Sequence, residues 1–409
     1  MPLKQLFVYK HKYLPFIIET NVEKNMYFYS DHSDSNRQLI TSLPKARSPI
    51  VRLNTICPYF TMYPLDFPFN VLEQAQSTDW VLDPFSGRGT TNFAARMRGI
   101  ASFGIDTSPI ACAISAAKFV NTTPIKIIKL CKAILKDKTK PNHIPHGKFW
   151  ELCYHSSTLS EIYIIKETLL DECVTDETIA LRALMLGILH GPTYKNLTSY
   201  LSNQMPRTYS TKPDYSIRYW EKNRMSPEKI DVLDVVSRKA KYSFNTLPPR
   251  TTGGISLSDA RKPLKFIPDE GFNWVITSPP YFGMKTYLPD QWLRNWFLGG
   301  PDLIDYSNSS QLCHGSKETF IGELSNVWKN ITKACAPNAQ LVIRFGSLPS
   351  KICNPLEILQ KSIDLANCGW EHYSTYSAGS PKIGRRQSEQ FGDNLGTAQK
   401  EIDYYAVLT

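Results

Sequence analysis

A strand, a glycine-rich turn and a helix follow one another early in the chain, and this unit constrains the fold more than any other feature. The apolar run 80–82 ends at Asp83, and a helix is predicted from Thr90 until Gly99 closes it. Further strands are predicted at 101–105, 254–259, 273–277, 340–345, 371–376 and 402–408. Strands that alternate with helices predict an α/β fold, with a mostly parallel sheet of about seven strands and ligands at the carboxyl ends of the strands.

A long region interrupts this alternation. Residues 125–250 have a largely helical pattern with a basic and aromatic middle, so we predict a helical insertion between the second and third strands. The α/β domain then comprises 51–124 and 251–409. It follows an N-terminal segment, 1–50, in which the apolar residues show no clear helical or strand period. Just before the insertion, the Ser108-Pro109 pair predicts a helix that runs to about Phe119.

Composition excludes several classes of protein. Of the 409 residues, 42% are apolar, which is too many for an intrinsically disordered chain. The most apolar stretch, 179–189, is short and contains Arg182, so a membrane-spanning helix is not expected. Lysines interrupt the N-terminal apolar residues, so a signal peptide is not expected either. We therefore expect a cytoplasmic protein with no membrane partner. The nine cysteines are scattered without a C-x-x-C pair, so neither a disulfide framework nor a bound metal is expected.

The turn after the first of these strands is suited to holding a ligand. Gly87 and Gly89 allow backbone conformations that a Cβ excludes, and the next helix begins with free N–H groups. The turn is not a Walker A loop, and it lacks the third glycine of the dinucleotide fingerprint. Asp83, Asp106 and Asp259 each end one of three consecutive strands, where Asp106 can bind ribose hydroxyls and Asp259 an amino group of adenine. The alternative for each Asp is a simple turn residue after a strand.

A proline-rich turn ends the fourth strand and contains Ser278, Pro279, Pro280 and Tyr281. The two prolines fix the backbone and remove two N–H donors, so the turn presents acceptors such as the Ser278 hydroxyl oxygen. Acceptors suit an exocyclic amino group, and the Tyr281 ring offers a flat face on which a base can stack. The alternative is a turn in which the prolines serve stiffness alone.

Together, the two turns resemble the S-adenosylmethionine-dependent DNA amino-methyltransferases of restriction-modification systems. The resemblance is carried by Asp83-Pro84-Phe85-x-Gly87-x-Gly89-Thr90-Thr91 and by Thr277-Ser278-Pro279-Pro280-Tyr281. It covers about residues 50–120 and 250–409 and implies a Rossmann-like methyltransferase fold. In that family the first motif cradles the cofactor and the second is the catalytic loop. The Ser-Pro-Pro-Tyr form is most typical of the cytosine-N4 enzymes.

The resemblance also implies roles for individual residues. The cofactor would be S-adenosylmethionine, with its ribose at Asp106 and its adenine at Asp259-Ala260. The segment 57–63 is similar to the one that closes over the methionine end of the cofactor. The residues implied to bind the cofactor are Tyr59, Asp83, Phe85, Gly87, Gly89, Thr90, Asp106, Asp259 and Ala260. Those implied to be catalytic are Ser278, Pro279, Pro280 and Tyr281.

The implied reaction is methyl transfer to cytosine N4 in a short sequence of double-stranded DNA. The amino nitrogen attacks the methyl group directly, so none of the cysteines, Cys57 and Cys313 included, needs a catalytic role. The base must leave the duplex, because its target atom is otherwise stacked and paired. A restriction endonuclease is the implied functional partner. Two alternatives stay open: an adenine-N6 enzyme acting on DNA or RNA, and a catalytically silent nucleic-acid-binding protein.

The positive charge of the chain is unevenly distributed. The formal net charge is +10, and residues 195–250 hold 11 basic and 5 acidic residues, a net charge of +6. We expect Arg207, Lys212 and Arg218 to contact DNA phosphates, while nearby amide side chains could read base edges. Arg385 and Arg386 form a second candidate contact. The alternative to DNA binding is an ordinary solvated helical face.

Overall fold

The computed structural model describes residues 26–30, 40–59, 63–136, 144–191, 199–203, 205, 212–283, 291–304, 312, 315–347, 353–378 and 401–409. Their strands are β1 Met26–Tyr29, β2 Trp80–Asp83, β3 Ala101–Asp106, β4 Gly253–Leu257, β5 Phe272–Thr277, β6 Cys335–Gly346, β7 Trp370–Ser377 and β8 Glu401–Leu408. Their α-helices are α1 Asp66–Val71, α2 Thr90–Arg98, α3 Pro109–Ala116, α4 Pro124–Lys136, α5 Lys148–Cys153, α6 Ser156–Asp171, α7 Asp176–Ile188, α8 Pro213–Lys222, α9 Val232–Phe244, α10 Trp292–Phe297, α11 Lys317–Thr332 and α12 Pro355–Ala366. Two short 3₁₀ helices, Pro49–Thr55 and Leu72–Gln74, flank α1.

The described strands form one sheet in the order β1-β4-β3-β2-β5-β6-β8-β7. The five strands from β4 to β6 in that order run parallel, whereas β8 is antiparallel to both β6 and β7. The chain moves outward from β2 to β3 and β4, and then returns to place β5 on the other side of β2. From β4 to β7 this order, with β8 reversed between β6 and β7, is that of the Rossmann-like methyltransferase sheet, and the predicted fold class is confirmed.

Two local details differ from the predictions. The sheet has an eighth strand, because β1 from the N-terminal segment pairs antiparallel with β4, with Tyr27 opposite Ile255. A strand of four residues has too few positions to show a period. The helix α3 ends at Ala116 rather than near Phe119, since the amides of Lys118 and Phe119 bond to carbonyls three residues back and tighten the last turn.

The two faces of the sheet bury alternate residues of the same strands. On β5, Trp274 and Ile276 pack in one apolar cluster with α2, α3 and the helices α4 to α9, while Val275 packs in a second cluster with α11 and α12. The described parts of the region 125–250 are mainly helical, as predicted. Its helices share a core with the sheet, so the insertion covers one face of the sheet.

One buried arginine joins the chain where it leaves the sheet to the chain where it returns. Arg96, on α2, donates to the carbonyl oxygens of Lys118 and Val120 at 2.7 and 2.8 Å. It also donates to the carbonyl oxygens of Pro248 and Pro249 at 2.8 and 3.0 Å. Its guanidinium therefore ties together the two ends of the helical insertion.

None of the helices in the described part of the chain has the length and apolar character that crossing a bilayer would require.

Candidate active site

The glycine-rich turn and the proline-rich turn begin at the same edge of the sheet. They follow β2 and β5, which are parallel neighbours with Leu82 opposite Val275. The order of the strands reverses between these two strands, and open α/β sheets bind ligands at such a point, outside the carboxyl ends of the strands. The fold thus brings the two sequence motifs together.

Asp83 connects the two turns through a buried hydrogen-bond cluster. Its Oδ1 accepts from Thr277 Oγ1 at 2.7 Å and from the Phe85 amide at 3.1 Å. Its Oδ2 accepts from Thr91 Oγ1 at 2.6 Å and from the Tyr63 hydroxyl at 3.2 Å. Burial raises the pKa of Asp83, and these donors oppose that rise. The Asp83 carboxylate is committed to protein donors, so its predicted contact with a cofactor stays a prediction.

The glycine turn has a left-handed backbone geometry that favours glycine. Gly87 and Gly89 have φ values of 52° and 76°. A Cβ at Gly89 would lie 2.8 Å from Ser115 Oγ, so there is no room for a side chain. A Cβ at Gly87 would meet nothing closer than 3.9 Å, and this side of the turn is therefore open to a ligand.

Asp106 fixes the same turn from the neighbouring strand. Its Oδ2 accepts from the Gly87 amide and its Oδ1 from the Ser108 amide, both at 2.8 Å. Burial raises the pKa of Asp106 to about 6, against the lowering effect of these amides. Each carboxylate oxygen keeps a further lone pair, so the group can still accept hydrogen bonds from ribose hydroxyls.

Asp259 lies two residues beyond the end of β4 and already has a cationic partner. Arg261 donates to its two oxygens at 2.9 and 2.7 Å, and also pairs with Glu323 at 2.8 Å. Partial burial acts to raise the pKa of Asp259, but the bonds from Arg261 hold it below its ordinary value. The adjacent Ala260 is buried, and its carbonyl oxygen accepts from Asn330. Their contact with adenine stays a prediction.

Three other predicted cofactor residues lie at or next to the glycine turn. Tyr59 is buried, with Cε1 3.9 Å from the Cβ position of Gly87. Thr90 is buried and accepts from Arg88 Nε at 3.2 Å. Phe85 is half-buried, and its amide is held by Asp83 as described above.

The proline-rich turn holds its serine and its tyrosine differently. Ser278 is half-buried, and its hydroxyl has no hydrogen-bond partner among the described residues. Pro279 is buried and Pro280 half-buried. The Tyr281 hydroxyl donates to Glu401 at 2.9 Å, and its ring meets Phe345 edge to face at 5.5 Å. The tyrosine ring is therefore held by β6 and β8, whereas no described residue holds the serine hydroxyl.

The predicted DNA-binding residues are only partly covered by the structure. Lys212 directly precedes α8 and Arg218 lies on it, and both side chains are exposed, while Trp220 of the same helix is fully buried. Arg207, Arg385 and Arg386 lie outside the described residues. Contact of any of these residues with DNA stays a prediction.

Sequence reasoning assigned no individual role to several residues of the site. Thr91 and Thr277 lie within the two motifs, but only the pairing of β2 with β5 shows that both hydroxyls reach Asp83. Tyr63 joins the same cluster from a segment twenty residues upstream of Asp83. The sequence shows that Arg88 lies between two glycines, but only the structure shows that its side chain is buried.

The residues present fit S-adenosylmethionine on three structural grounds. The glycine turn is open at Gly87, and Asp106 keeps free lone pairs beside it. Arg88 is buried next to both glycines and forms no ion pair with any described carboxylate, so it suits an anionic group of a ligand.

The described residues contain no group of three His, Cys, Asp or Glu side chains that could hold a metal ion. The eight cysteines among them have free thiols.

Comparison with known proteins gave limited likenesses. No family model matches the chain. The Type II methyltransferase M.MvaI of Kocuria varians is 24% identical over 280 residues, which are 56% of this chain and 58% of that protein. The chain thus spans little more than half the length of this curated relative.

Among solved structures, the rRNA methyltransferase aviRa from Streptomyces viridochromogenes aligns with a TM-score of 0.35 and 9% identity, over 90% of this chain and 95% of that one. An rRNA methylase from Streptococcus thermophilus aligns with a TM-score of 0.32 and 7% identity, over 86% and 99%. At such low scores, neither likeness identifies a substrate.

Proposed function

We propose that the chain is an S-adenosylmethionine-dependent DNA methyltransferase that acts on the exocyclic N4 of cytosine within a short target sequence. Most of the support comes from one observation: Thr277, at the end of β5, donates to Asp83, at the end of β2. Because of this bond, Ser278 begins the proline-rich turn beside the glycine turn. The similarity to a Type II methyltransferase favours the same class of reaction.

The glycine turn would hold the cofactor. When bound, S-adenosylmethionine would supply an electrophilic methyl group on its sulfur atom. Gly87 and Gly89 give the turn its shape, and Asp106 offers acceptors for the ribose hydroxyls. Ala260 would lie at the adenine, and Tyr59 would cover the methionine end.

The proline-rich turn would orient the base. A cytosine amino group has two N–H donors, and the Ser278 hydroxyl oxygen can accept one of them. The prolines donate no N–H, so the turn does not compete for the lone pair of the attacking nitrogen. Tyr281, held by Glu401, would stack on the base. No thiolate is needed, and burial raises the pKa of the Cys57 thiol.

DNA would lie against the basic face of α8, where Lys212 and Arg218 would neutralise phosphates. The target cytosine would be extruded from the duplex to reach Ser278. A restriction endonuclease with the same target sequence would be the functional partner.

Nucleoside mass spectrometry tests the reaction. The purified protein is incubated with S-adenosylmethionine and DNA or RNA of mixed sequence, and the nucleosides are then analysed. We expect N4-methylcytosine from DNA alone. We expect Ser278→Ala to lower kcat by about 100-fold, as loss of one group aimed at the reacting atoms does elsewhere. Affinity for S-adenosylhomocysteine, measured by calorimetry, should stay unchanged.

An exposed serine in the N-terminal region, replaced as Ser42→Ala, is the matched control and should keep full activity. N6-methyladenine or a methylated RNA base as the only product would overturn the cytosine assignment. Cofactor binding without transfer to any nucleic acid would favour the catalytically silent protein. Equal losses of turnover and cofactor affinity in Ser278→Ala would contradict the role given to Ser278.

A further inference from the structure

Three basic side chains are buried close to Cys57, at the edge of the glycine turn. Arg88, Lys118 and Arg294 have exposed fractions of 9%, 0% and 5%. Burial raises the pKa of the Cys57 thiol, and the charges of Arg294, Lys118 and Arg88 oppose that rise. Buried basic side chains are normally paired with carboxylates.

Lys118 and Arg294 bond to neutral oxygens. Lys118 Nζ donates to the Leu53 carbonyl at 2.6 Å. Arg294 donates from Nε to the Leu186 carbonyl at 2.9 Å and from Nη1 to Gln291 at 3.0 Å, while its Nη2 is buried without a partner. These contacts leave the positive charge of Arg294 without a counter-charge among the described residues.

Arg88 lies between the two glycines of the turn. Its Nε donates to Thr90 Oγ1, and its two Nη groups form no hydrogen bond or ion pair with any described residue. Burial lowers the pKa of Arg88 to about 10, so the guanidinium is still charged at neutral pH. A buried cation with two unused nitrogens fits a bidentate carboxylate.

The surroundings of Arg88 indicate where such a carboxylate would lie. Gly87, on one side, is open and faces Tyr59 at 3.9 Å from its Cβ position. On the other side, a Cβ at Gly89 would lie 3.1 Å from Lys118 Cγ. The helix α7 closes the region, since a Cβ at Gly187 would lie 3.3 Å from Cys57 Cα. The turn that carries Arg88 is thus open at Gly87, on the side where Tyr59 of the 57–59 segment lies.

We propose that Arg88 binds the carboxylate at the methionine end of S-adenosylmethionine and so selects for cofactors that carry this carboxylate. This assignment rests on the proposed function. The uncompensated charge of Arg294 adds positive potential to the same region. The carboxylate of the ligand would then pair with the Arg88 guanidinium, which has no acidic partner among the described residues. Arg88 would therefore determine cofactor specificity.

Ligand binding without catalysis tests the assignment. Calorimetry compares S-adenosylhomocysteine with its decarboxylated analogue, which differs only by the carboxylate. We expect Arg88→Met to weaken binding of S-adenosylhomocysteine by about 10- to 100-fold, the usual effect of losing a charged hydrogen bond. Its affinity for the decarboxylated analogue should stay at the wild-type value or rise. Arg88→Lys should restore part of the lost affinity, because it keeps the charge but not the bidentate geometry.

Arg98→Met is the matched control, because Arg98 lies on α2 and stacks over Phe69, at the far end of the helix from the glycine turn. It should bind both ligands as the wild type does. Thermal melts confirm that each variant is folded. Equal weakening of both ligands by Arg88→Met, or of neither, would overturn the assignment. If the wild type binds neither ligand, the proposed function itself fails; if it binds both equally well, only the role of Arg88 falls.

Discussion

Two carboxylates at the ends of adjacent strands, the buried Asp83 and the half-buried Asp106, have different tasks. Asp83 accepts four hydrogen bonds from within the protein, whereas Asp106 accepts two and keeps capacity for a ligand. The sequence placed both as acids at strand ends, and it could not distinguish them. The distinction depends on the donors that reach each carboxylate. Hydroxyls of Tyr63, Thr91 and Thr277 bond to Asp83, whereas only backbone amides among the described residues bond to Asp106.

The raised pKa of Asp106 predicts that cofactor affinity depends on pH. Its folded pKa of about 6 exceeds the ordinary value of 3.8, so ionisation of Asp106 costs stability as the pH rises through this range. Cofactor affinity should rise over the same range, because the ionised carboxylate is the better acceptor for ribose hydroxyls. Below about pH 6, we expect the Kd of S-adenosylhomocysteine to increase by up to about tenfold per pH unit.

Calorimetry between pH 5 and pH 8 measures this dependence. Asp106→Asn cannot titrate, so its Kd should be weaker than that of the wild type and nearly constant with pH. A wild-type Kd that does not change across this range would contradict the role of the Asp106 carboxylate.

At the scale of elements, the site depends on the pairing of β2 with β5. Each strand carries one of the two turns, and the Thr277–Asp83 hydrogen bond joins their ends. Strand periodicity and turn residues were sufficient to predict β2, β5 and α2. They were not sufficient for β1, whose four residues show no period, or for the early end of α3, which is set by three-residue hydrogen bonds.

Replacing Thr277 tests this connection. Thr277→Val keeps the branched shape but leaves the buried Asp83 without one donor, which we expect to lower the free energy of unfolding by about 1–3 kcal/mol. The position of Ser278 would loosen as well, so kcat should fall more than KM for DNA rises. Urea denaturation and steady-state kinetics measure the two effects. Thr277→Ser retains the hydroxyl and should behave almost as the wild type; a fully stable Thr277→Val would show that the bond contributes nothing.

At the scale of the whole molecule, the sheet separates two sets of exposed charges. Lys212 and Arg218 belong to the face covered by the helical insertion. On the opposite face, Lys329 lies on α11 and Lys333 directly follows it. The uneven charge could be read from the sequence. The face on which it lies could not, because that depends on how the insertion packs against the sheet.

The salt dependence of DNA binding distinguishes these faces. Each phosphate contact contributes about 0.9 to the slope of log Kobs against log salt, so replacing Lys212 and Arg218 with Ala should reduce the slope by about 2. Replacing Lys329 and Lys333 with Ala removes the same charge and should leave the slope unchanged. Equal reductions by the two pairs would indicate a general effect of net charge and would exclude a DNA contact specific to α8.

The bonds of Arg96 to both ends of the helical insertion affect how freely the length of that insertion can change. The chain departs after Val120 and comes back at Pro248, and Arg96 binds the carbonyls of both residues. The intervening chain is therefore a closed loop, and doubling the length of such a loop costs only about 0.6 kcal/mol of entropy. The length of this region can therefore change while the register of β3 with β4 is preserved. In the proposed function, the part of the chain that lies against DNA could then change while the sheet stays the same.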